Sequence, residues 1–452
     1  MIRYFDISDL VRFAKSNGTV SGIQRVQIRV LRHLIHQQKL DEVICIFSLG
    51  RYRSIRACYG RDLLGEVGYE AEVLLRKLNI ENPHAAFTNR ELKNYLSRFP
   101  KKSFRRICLK SFIILMSLIS PRRARFWMGL PAKQNQKEFS SIKTWCIKTI
   151  SKDDQIVLIG TNWNINSIDR LARKHYQQGG CVVQVIYDLI PYRYPEYCIE
   201  SVAKKFTQFL ERSRTYVAHY ICISESTKRD LENFLHAHDC HIKVSVCPLA
   251  HEFEGFGRET AESLPSKDDM LRLTGHRFVL CVGTIEVRKN GVSLLKVWKN
   301  FLKNGEKDLP RLVFAGKLGW KNQEFQETLA SDKTLQDHVS IIPQPTDSDL
   351  ASLYARCLFT VYPSLVEGWG LPVGEAAWFG KYSVVSSSSS LPEVCGDLVD
   401  YVSPKNFDGW VEMIKKSISD VGYRKTREKR ISETPLRTWK QVSDRFYALL
   451  RQ

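Results

Sequence analysis

Apolar residues in this chain fall into short runs divided by polar segments that carry glycine and proline. Ile2 to Ile7 and Val43 to Leu49 are compact and rich in β-branched residues, which predicts strands. Between them, Ile23, Val26, Val30, Leu31 and Leu34 recur at helical spacing, which predicts an amphipathic helix from Ile23 to Gln37. The loop Lys15 to Gly22 precedes that helix, and strand, glycine-bearing loop, helix is an order that cradles anions. The alternation resumes with a strand at Gln155–Gly160 ending in Thr161-Asn162-Trp163-Asn164, a helix at Ile168–Gln178 and a strand at Val182–Tyr187 that leads into Asp188-Leu189-Ile190-Pro191. A strand at Tyr216–Ile223 runs into the helix-capping sequence Ser224-Glu225-Ser226-Thr227, and Val244–Cys247 with Pro248 closes the first half.

His251 to Thr274 is polar and reads as a linker, after which a second alternation begins. Its strands are expected at Phe278–Val282, Leu312–Ala315, Val339–Pro343, Leu358–Tyr362 and Ser383–Ser386. Its helices are expected at Val292–Phe301, Asp347–Arg356, Ala376–Phe379 and Thr438–Leu450. The pattern predicts an α/β chain of two Rossmann-like domains facing across a cleft. The expected division is 1–250, a linker at 251–275, 276–434 and a final helix at 435–452. In such sheets ligands sit at the carboxyl ends of strands, which puts Asp188 and Ser224 at a rim. Asp188 also suits a plain turn cap.

The most informative stretch is Glu367-Gly368-Trp369-Gly370-Leu371-Pro372-Val373-Gly374-Glu375. It follows a strand and precedes a helix. Its glycines admit close approach of a ligand, and a helix N-terminus offers N–H groups and partial positive charge to a phosphate. Its acids can accept hydrogen bonds from a vicinal diol. Together these suit a nucleotide-sugar, against the plainer alternative of a tight turn with two solvated acids.

Charge changes the picture. The 452 residues carry a net charge of +20, which calls for an anionic partner. Residues 93 to 137 hold no Asp or Glu but many Lys and Arg, among them Arg98, Arg105, Arg106, Lys110, Arg122 and Arg125. Within that stretch Ile107 to Ile119 is nearly all apolar, and Phe126 and Trp127 follow. An apolar helix with basic flanks and aromatics predicts an anionic membrane surface as partner of residues 98–127. A buried helix with a solvated basic rim is the alternative. RNA ranks lower because the aromatics are not interleaved with the basic residues, and no nucleic acid is expected. No stretch reaches the length of a membrane span, no leader pattern precedes the first strand, and the 12 cysteines include no CxxC pair. A reducing compartment is the expectation.

Rival motifs are weaker. Asp347-Ser348-Asp349 has the form of a DxD metal motif but stands where a helix N-cap is expected. His236, His238, Cys240 and His241 have metal-ligand chemistry in a polar surface segment. The serine run Ser386–Ser390 falls at a strand-to-helix loop. A P-loop is lacking, and no GxGxxG follows a strand.

The second half resembles the retaining GT-B glycosyltransferases of glycosyltransferase family 4. The resemblance rests on Val282-Gly283-Thr284-Ile285-Glu286-Val287-Arg288-Lys289-Asn290, Leu312-Val313-Phe314-Ala315-Gly316, Asp349-Leu350-Ala351-Ser352-Leu353-Tyr354, the Glu367/Glu375 loop and Ser390-Leu391-Pro392-Glu393-Val394. The first half matches more loosely, through Ser21-Gly22-Ile23-Gln24-Arg25-Val26 and Tyr187-Asp188-Leu189-Ile190-Pro191. The GTIE-x-RKN run resembles bacterial O-antigen and capsule mannosyltransferases.

The resemblance implies a metal-independent transferase without a cofactor, in bacterial surface polysaccharide biosynthesis. It implies a nucleotide-sugar donor, GDP-mannose as the best choice, and a lipid-linked or saccharide acceptor. Lys289 matches the family's diphosphate-binding lysine. Thr284 replaces the arginine that usually follows the first glycine, which assigns part of that charge to Arg288. Glu375 is expected at the ribose hydroxyls and Glu367 beside the transferred sugar. Trp369, Gly370 and Leu371 would meet sugar and phosphate through their N–H groups, with Gly283 at the diphosphate. Ile342 and Pro343 would lie by the base, and Gly22 would approach the diphosphate from the first domain. Asp188 takes the place of the family's acid or histidine after the middle strand, and Tyr187 stands where near relatives have histidine. The C-terminal helix is expected to pack back on the first domain, and the protein to sit in the cytoplasm on the inner membrane face. A decayed transferase scaffold that binds membrane or nucleic acid is the second reading, favoured by Thr284.

Overall fold

A computed structural model describes residues 1–16, 22–37, 43–48, 54–64, 71–80, 92, 95–97, 104–119, 127–128, 141–257, 277–306 and 308–452. Ser21, most of the expected linker, and Phe126 with much of the basic stretch lie outside the described residues. The chain forms two compact units, Met1–Gln184 with Thr215–Ala218, and Val185–Arg214 with His219–Gln452.

In the first unit, strands β1 (Arg3–Asp6), β2 (Val43–Ser48), β3 (Ile55–Tyr59), β4 (Trp145–Ile147) and β5 (Gln155–Leu158) run in the order β4-β3-β2-β1-β5, and β6 (Cys181–Ile186) pairs with β5 through its first four residues, Cys181 to Gln184. The central strand β1 lies parallel to β2 and β5, pairing Arg3 with Val43 and with Gln155. β3 and β4 are antiparallel additions. Their hydrophobic runs were too short to read from periodicity alone.

One expectation fails here. The loop before Gly22 does not follow a strand directly, because a helix, Ser8–Ser16, intervenes after β1. Its start is fixed by Asp6, whose Oδ1 accepts from Ser8 N–H at 2.9 Å and Ser8 Oγ at 2.5 Å. Burial nonetheless pushes the Asp6 carboxyl up to about 7. Gly22 instead opens the second helix, Gly22–Gln37, with φ +41.

The apolar segment of the basic region forms the helix Phe104–Ile119. Ile113 is buried with Leu92, Leu96 and Met128, while Phe112 and Trp127 remain 42 % and 58 % exposed. Those two rings meet edge to face at 5.9 Å. Among the described residues no helix is long and apolar enough to cross a membrane.

The second unit contains the parallel pair β7 (His219–Cys222) and β8 (Lys243–Val246). It also contains a six-stranded sheet of β9 (Phe278–Val282), β10 (Arg311–Ala315), β11 (Val339–Ile342), β12 (Phe359–Tyr362), β13 (Ser383–Ser386) and β14 (Asp400–Val402). The order is β11-β10-β9-β12-β13-β14, with every pairing parallel. Such strands are covered on both faces, so they read as continuous apolar runs rather than alternating ones. One core gathers Leu294, Trp298, Phe301, Phe359, Tyr382 and Trp410, and another gathers Phe253, Leu280, Ile342, Tyr354 and Phe379.

The helix after the central loop starts earlier than expected, at Leu371 rather than Ala376, and ends at Trp378. Pro372 sits in its first turn, where the missing N–H costs nothing and the fixed φ suits the helix. The last helix, Trp439–Leu450, packs through Arg445, which donates to the Val246 carbonyl at 2.9 Å, and Trp439, whose indole donates to the Glu252 carbonyl at 2.9 Å.

Trp298 is fully buried, and its indole N–H donates to the Pro310 carbonyl at 2.9 Å. Replacing Trp298 by Ala removes a large apolar volume and orphans that carbonyl. We expect the urea midpoint to fall by the equivalent of roughly 3–5 kcal/mol. Trp298→Phe should lose clearly less, since it keeps most of the volume.

Candidate functional site

The site begins at the carboxyl end of β9. Gly283 N–H donates to the Ala315 carbonyl at 3.0 Å, and Gly316 lies so close that a Cβ there would come within 1.9 Å of the Gly283 carbonyl oxygen. Only glycine permits that approach. The chain then makes a single 3-10 turn, Val287–Lys289, passes Asn290 in the left-handed region at φ 55, and enters the helix Gly291–Lys303. Asparagine is among the few side chains that tolerate this conformation. Asn290 Nδ2 donates to the Pro363 carbonyl at 3.1 Å, and Leu365 N–H donates to the Arg288 carbonyl at 2.8 Å. The turn after β9 and the loop after β12 are thus one braced unit.

The loop after β12 is held from its other side by serines. Ser388 Oγ donates to the Leu365 carbonyl at 2.6 Å, and Ser389 Oγ accepts from Glu367 N–H at 2.8 Å. Ser390 Oγ is 2.9 Å from the Glu367 carbonyl and 3.0 Å from that of Trp369. The low-complexity serine run is therefore the scaffold of the loop.

On this frame Glu367 is shared between two cations. Lys289 Nζ lies 2.5 Å from Oε1 and Arg288 donates to Oε2 at 2.6 Å. Arg288 also donates to Glu286 at 2.7 Å and to the Val366 carbonyl at 2.9 Å. The Glu367 side chain is only 9 % exposed. Burial alone pushes its carboxyl up, but Arg288 and Lys289 outweigh that and hold it down at about 2. Burial opposes the charge of Arg288 too, yet Glu367, Glu286 and Asp188 keep that guanidinium more firmly protonated than usual.

Asp188 joins the same cluster. Burial raises its carboxyl above the ordinary range, against the pull of Arg288 and a hydrogen bond from Ile190 N–H at 2.9 Å. That bond caps the short helix Ile190–Arg193, so the residue also has the turn-capping role. Gly368 lets the loop reach it, for a Cβ there would stand 2.2 Å from the Tyr187 carbonyl oxygen and 2.9 Å from Asp188 Cβ. Nearby, the Glu393 carboxylate accepts from Glu225 N–H at 2.6 Å and Ser226 N–H at 2.7 Å, at the N-terminus of the helix Glu225–His236. Acid at a helix N-terminus is favourable.

The structure thus brings Asp188, Arg288, Lys289 and Glu367 together. Gly283, Thr284 and Lys289 line a small depression with Cys281, Tyr362 and Ser364. Glu375 is buried in the next helix, where it accepts from Tyr354 Oη at 3.0 Å. Trp369 is buried with the Arg437 guanidinium 5.9 Å from its ring centre. Gly370 is the N-cap and Leu371 the first residue of the 371–378 helix. Ile342 ends the edge strand β11 inside the core, and Pro343 follows it at the surface. Gly22 belongs to the first unit.

Sequence reasoning did not assign Glu286, Ser388, Ser389 or Ser390 to the site. Glu286 was legible as an acid two residues before a basic pair. The serines offered no signal beyond their composition.

The rival motifs have structural roles. Thr346 and Asp349 form a reciprocal capping box for the helix Asp347–Arg356. His238 bonds to Glu211 at 2.7 Å and to the Phe234 carbonyl at 2.7 Å, and Cys240 accepts from Arg214. No cluster of three or more metal-ligating side chains occurs among the described residues.

Residues 266–435 match the family model described as glycosyl transferases group 1. O-antigen chain mannosyltransferase B of Escherichia coli is 28 % identical over 243 residues, 54 % of this chain and 62 % of that protein. Serotype-specific mannosyltransferase WbdA of Escherichia coli is 28 % identical over 237 residues, 50 % of this chain and 28 % of that protein. The chain thus spans less than two thirds of the length of either relative. Among solved structures, Anabaena HepE in complex with UDP and glucose aligns over 100 % of both chains with a TM-score of 0.59 at 13 % identity. Sucrose-phosphate synthase from Thermosynechococcus elongatus aligns over 100 % of this chain and 99 % of its own with a TM-score of 0.58 at 15 % identity. Residues 266–435 are thus a domain of the group 1 glycosyl transferase type, and the chain shares the GT-B fold of these solved structures.

Proposed function

We propose that the protein moves a sugar from a nucleotide-sugar to a lipid-linked or polysaccharide acceptor, with retention of anomeric configuration and without a metal. Mannose from GDP-mannose is the preferred donor, a choice supported by the mannosyltransferase relatives. The observation that carries the reading is the pair Arg288 and Lys289 held on Glu367 at the carboxyl end of β9, next to the N-terminus of the 371–378 helix. A departing nucleoside diphosphate develops negative charge. Two fixed cations and a helix N-terminus stabilise that charge with little reorganisation. Glu375 takes the ribose diol, and Glu367 faces the transferred sugar while orienting both cations. Residues 98–127 place the protein on an anionic membrane surface at the cytoplasmic face, a reading supported by the exposed Phe112–Trp127 pair beside a basic helix.

The first test is thermal stabilisation by GDP, UDP and dTDP. A ligand bound only to the folded state raises its stability by mass action. We expect GDP alone to shift the melting temperature and Glu375→Ala to abolish that shift. Lys289→Ala should lower kcat/KM for transfer by on the order of 10²–10³ without unfolding the protein, and a chelator should leave transfer unchanged. No shift with any nucleotide and unchanged function in Lys289→Ala would instead support the decayed scaffold.

Ionisation gives a second test. Glu367 has a depressed folded-state value, so its stabilising effect is complete above the unfolded carboxylate range and is lost as pH falls toward about 2. Glu367→Gln should therefore cost roughly 2–3 kcal/mol near neutrality, the low end for a buried pair because the cations keep some solvent contact. The melting-temperature gap to the wild type should narrow in acid. The acidic limb of kcat/KM then belongs to Asp188, whose ionisation burial pushes upward. Asp188→Asn should remove that limb, while a limb that survives in this variant would strip Asp188 of its role.

A further inference from the structure

Three large apolar side chains on the segments that run up to the ion cluster are left exposed and are used by nothing described so far. Trp320 is 45 % exposed, Leu318 is 50 % exposed and Ile199 is 43 % exposed. Large apolar groups left in water on segments bonded to a charged site are candidates for contact with a ligand.

The loop bearing Trp320 is not loose. Ile285 N–H donates to the Lys317 carbonyl at 2.8 Å, and Gly319 N–H donates to the Ile285 carbonyl at 2.8 Å. Val287 N–H faces the Trp320 carbonyl at 3.4 Å, one residue before Arg288. On the other side Lys321 Nζ donates to the Glu196 carbonyl at 2.5 Å. Glu196 lies between Tyr194 and Tyr197, whose rings stack at 6.0 Å with an interplanar angle of 17°. These tyrosines pack on Ile190, Cys198 and Val366. Ile190 is two residues from Asp188, and Val366 precedes Glu367. The aromatic surface is thus tied to the acid cluster through both of its edges.

We propose that Trp320 and the Tyr194–Tyr197 pair form a stacking platform for a pyranose ring of the acceptor. The inference rests on the transferase reading and names its second substrate site. A pyranose has an apolar C–H face and a rim of hydroxyls. Flat aromatic faces receive the first, and the flanking Lys321, Glu286 and tyrosine hydroxyls receive the second. A lipid tail would want a continuous apolar groove, and here charged groups interrupt the surface. Rigid attachment of the Trp320 loop to the strand end at Ile285 fixes the platform against the reacting groups, which is what positioning an acceptor requires.

The test uses the full chain and the variants Trp320→Ala and Trp320→Phe. The probes are α-mannobiose, α-mannotriose and the corresponding glucose and galactose disaccharides, followed by saturation-transfer NMR and tryptophan emission. GDP binding is measured in parallel. At least one saccharide should bind the wild type, with Trp320→Ala weaker by about tenfold and Trp320→Phe near the wild type. GDP affinity should be the same in all three. Equal saccharide binding by Trp320→Ala overturns the platform. So does the absence of saccharide binding from a wild type that binds GDP, or loss in Trp320→Ala of binding to prenyl phosphate vesicles rather than to sugars. A wild type that binds no nucleotide overturns the transferase reading itself.

Discussion

The second unit is organised by one carboxylate held between two cations. Glu367 sits at the end of one loop and Arg288 with Lys289 at the end of another, so their contacts at 2.6 and 2.5 Å fix two strand ends at a common point. The interaction is strong because the side chains are largely removed from water, and desolvation has to be offset by close pairing for the charges to persist. The direction of the Glu367 shift shows which effect wins. Burial disfavours the anion, and yet the group is held at about 2. Backbone bonds to the loop carbonyls make that geometry stiff before any substrate chemistry is considered. The serines at 388–390 and Asn290 hold the backbone where the charges need it.

The parallel strands were legible because burial on both faces writes itself as apolar runs. Phe278–Val282 agrees to the residue, as does the helix Asp347–Arg356, but the N-cap is Thr346 and Asp349 is only its capping-box partner. The helix Ser8–Ser16 was missed because it is short and its signal is local, an Asp6–Ser8 contact that a periodicity reading passes over. The start of the 371–378 helix was placed too late because three glycines suggested a longer loop, whereas Pro372 marks a helix start. Of the cluster, Glu367 and Asp188 were singled out by residue type and place after strands, whereas Arg288 and Lys289 entered through the family resemblance. The second partner of Arg288 and the serine scaffold were not legible. Their roles depend on contacts between segments tens of residues apart, such as Ser388 to Leu365, which no local pattern encodes. The exposed Trp320 was hidden for the opposite reason, since a lone tryptophan in sequence reads as core.

Charge balance connects these pieces to chemistry. Arg288 and Lys289 bring two positive charges, and Glu286 and Glu367 bring two negative ones. Asp188 adds a group whose ionisation is resisted by burial and assisted by Arg288. With Asp188 protonated the five side chains sum to zero, and with it ionised they carry a net negative charge. An incoming diphosphate therefore cannot rely on excess side-chain charge in this cluster. Under the proposed reading, its affinity would draw on the N–H groups at the start of the 371–378 helix, at Gly370 and Leu371, more than on net side-chain charge. Asp188 and Glu367 differ within this cluster: burial shifts Asp188 toward its neutral form, whereas the two cations hold Glu367 at about 2. A nearby anion would therefore act on the Asp188 carboxyl far more than on Glu367, whose charge is fixed by its own partners.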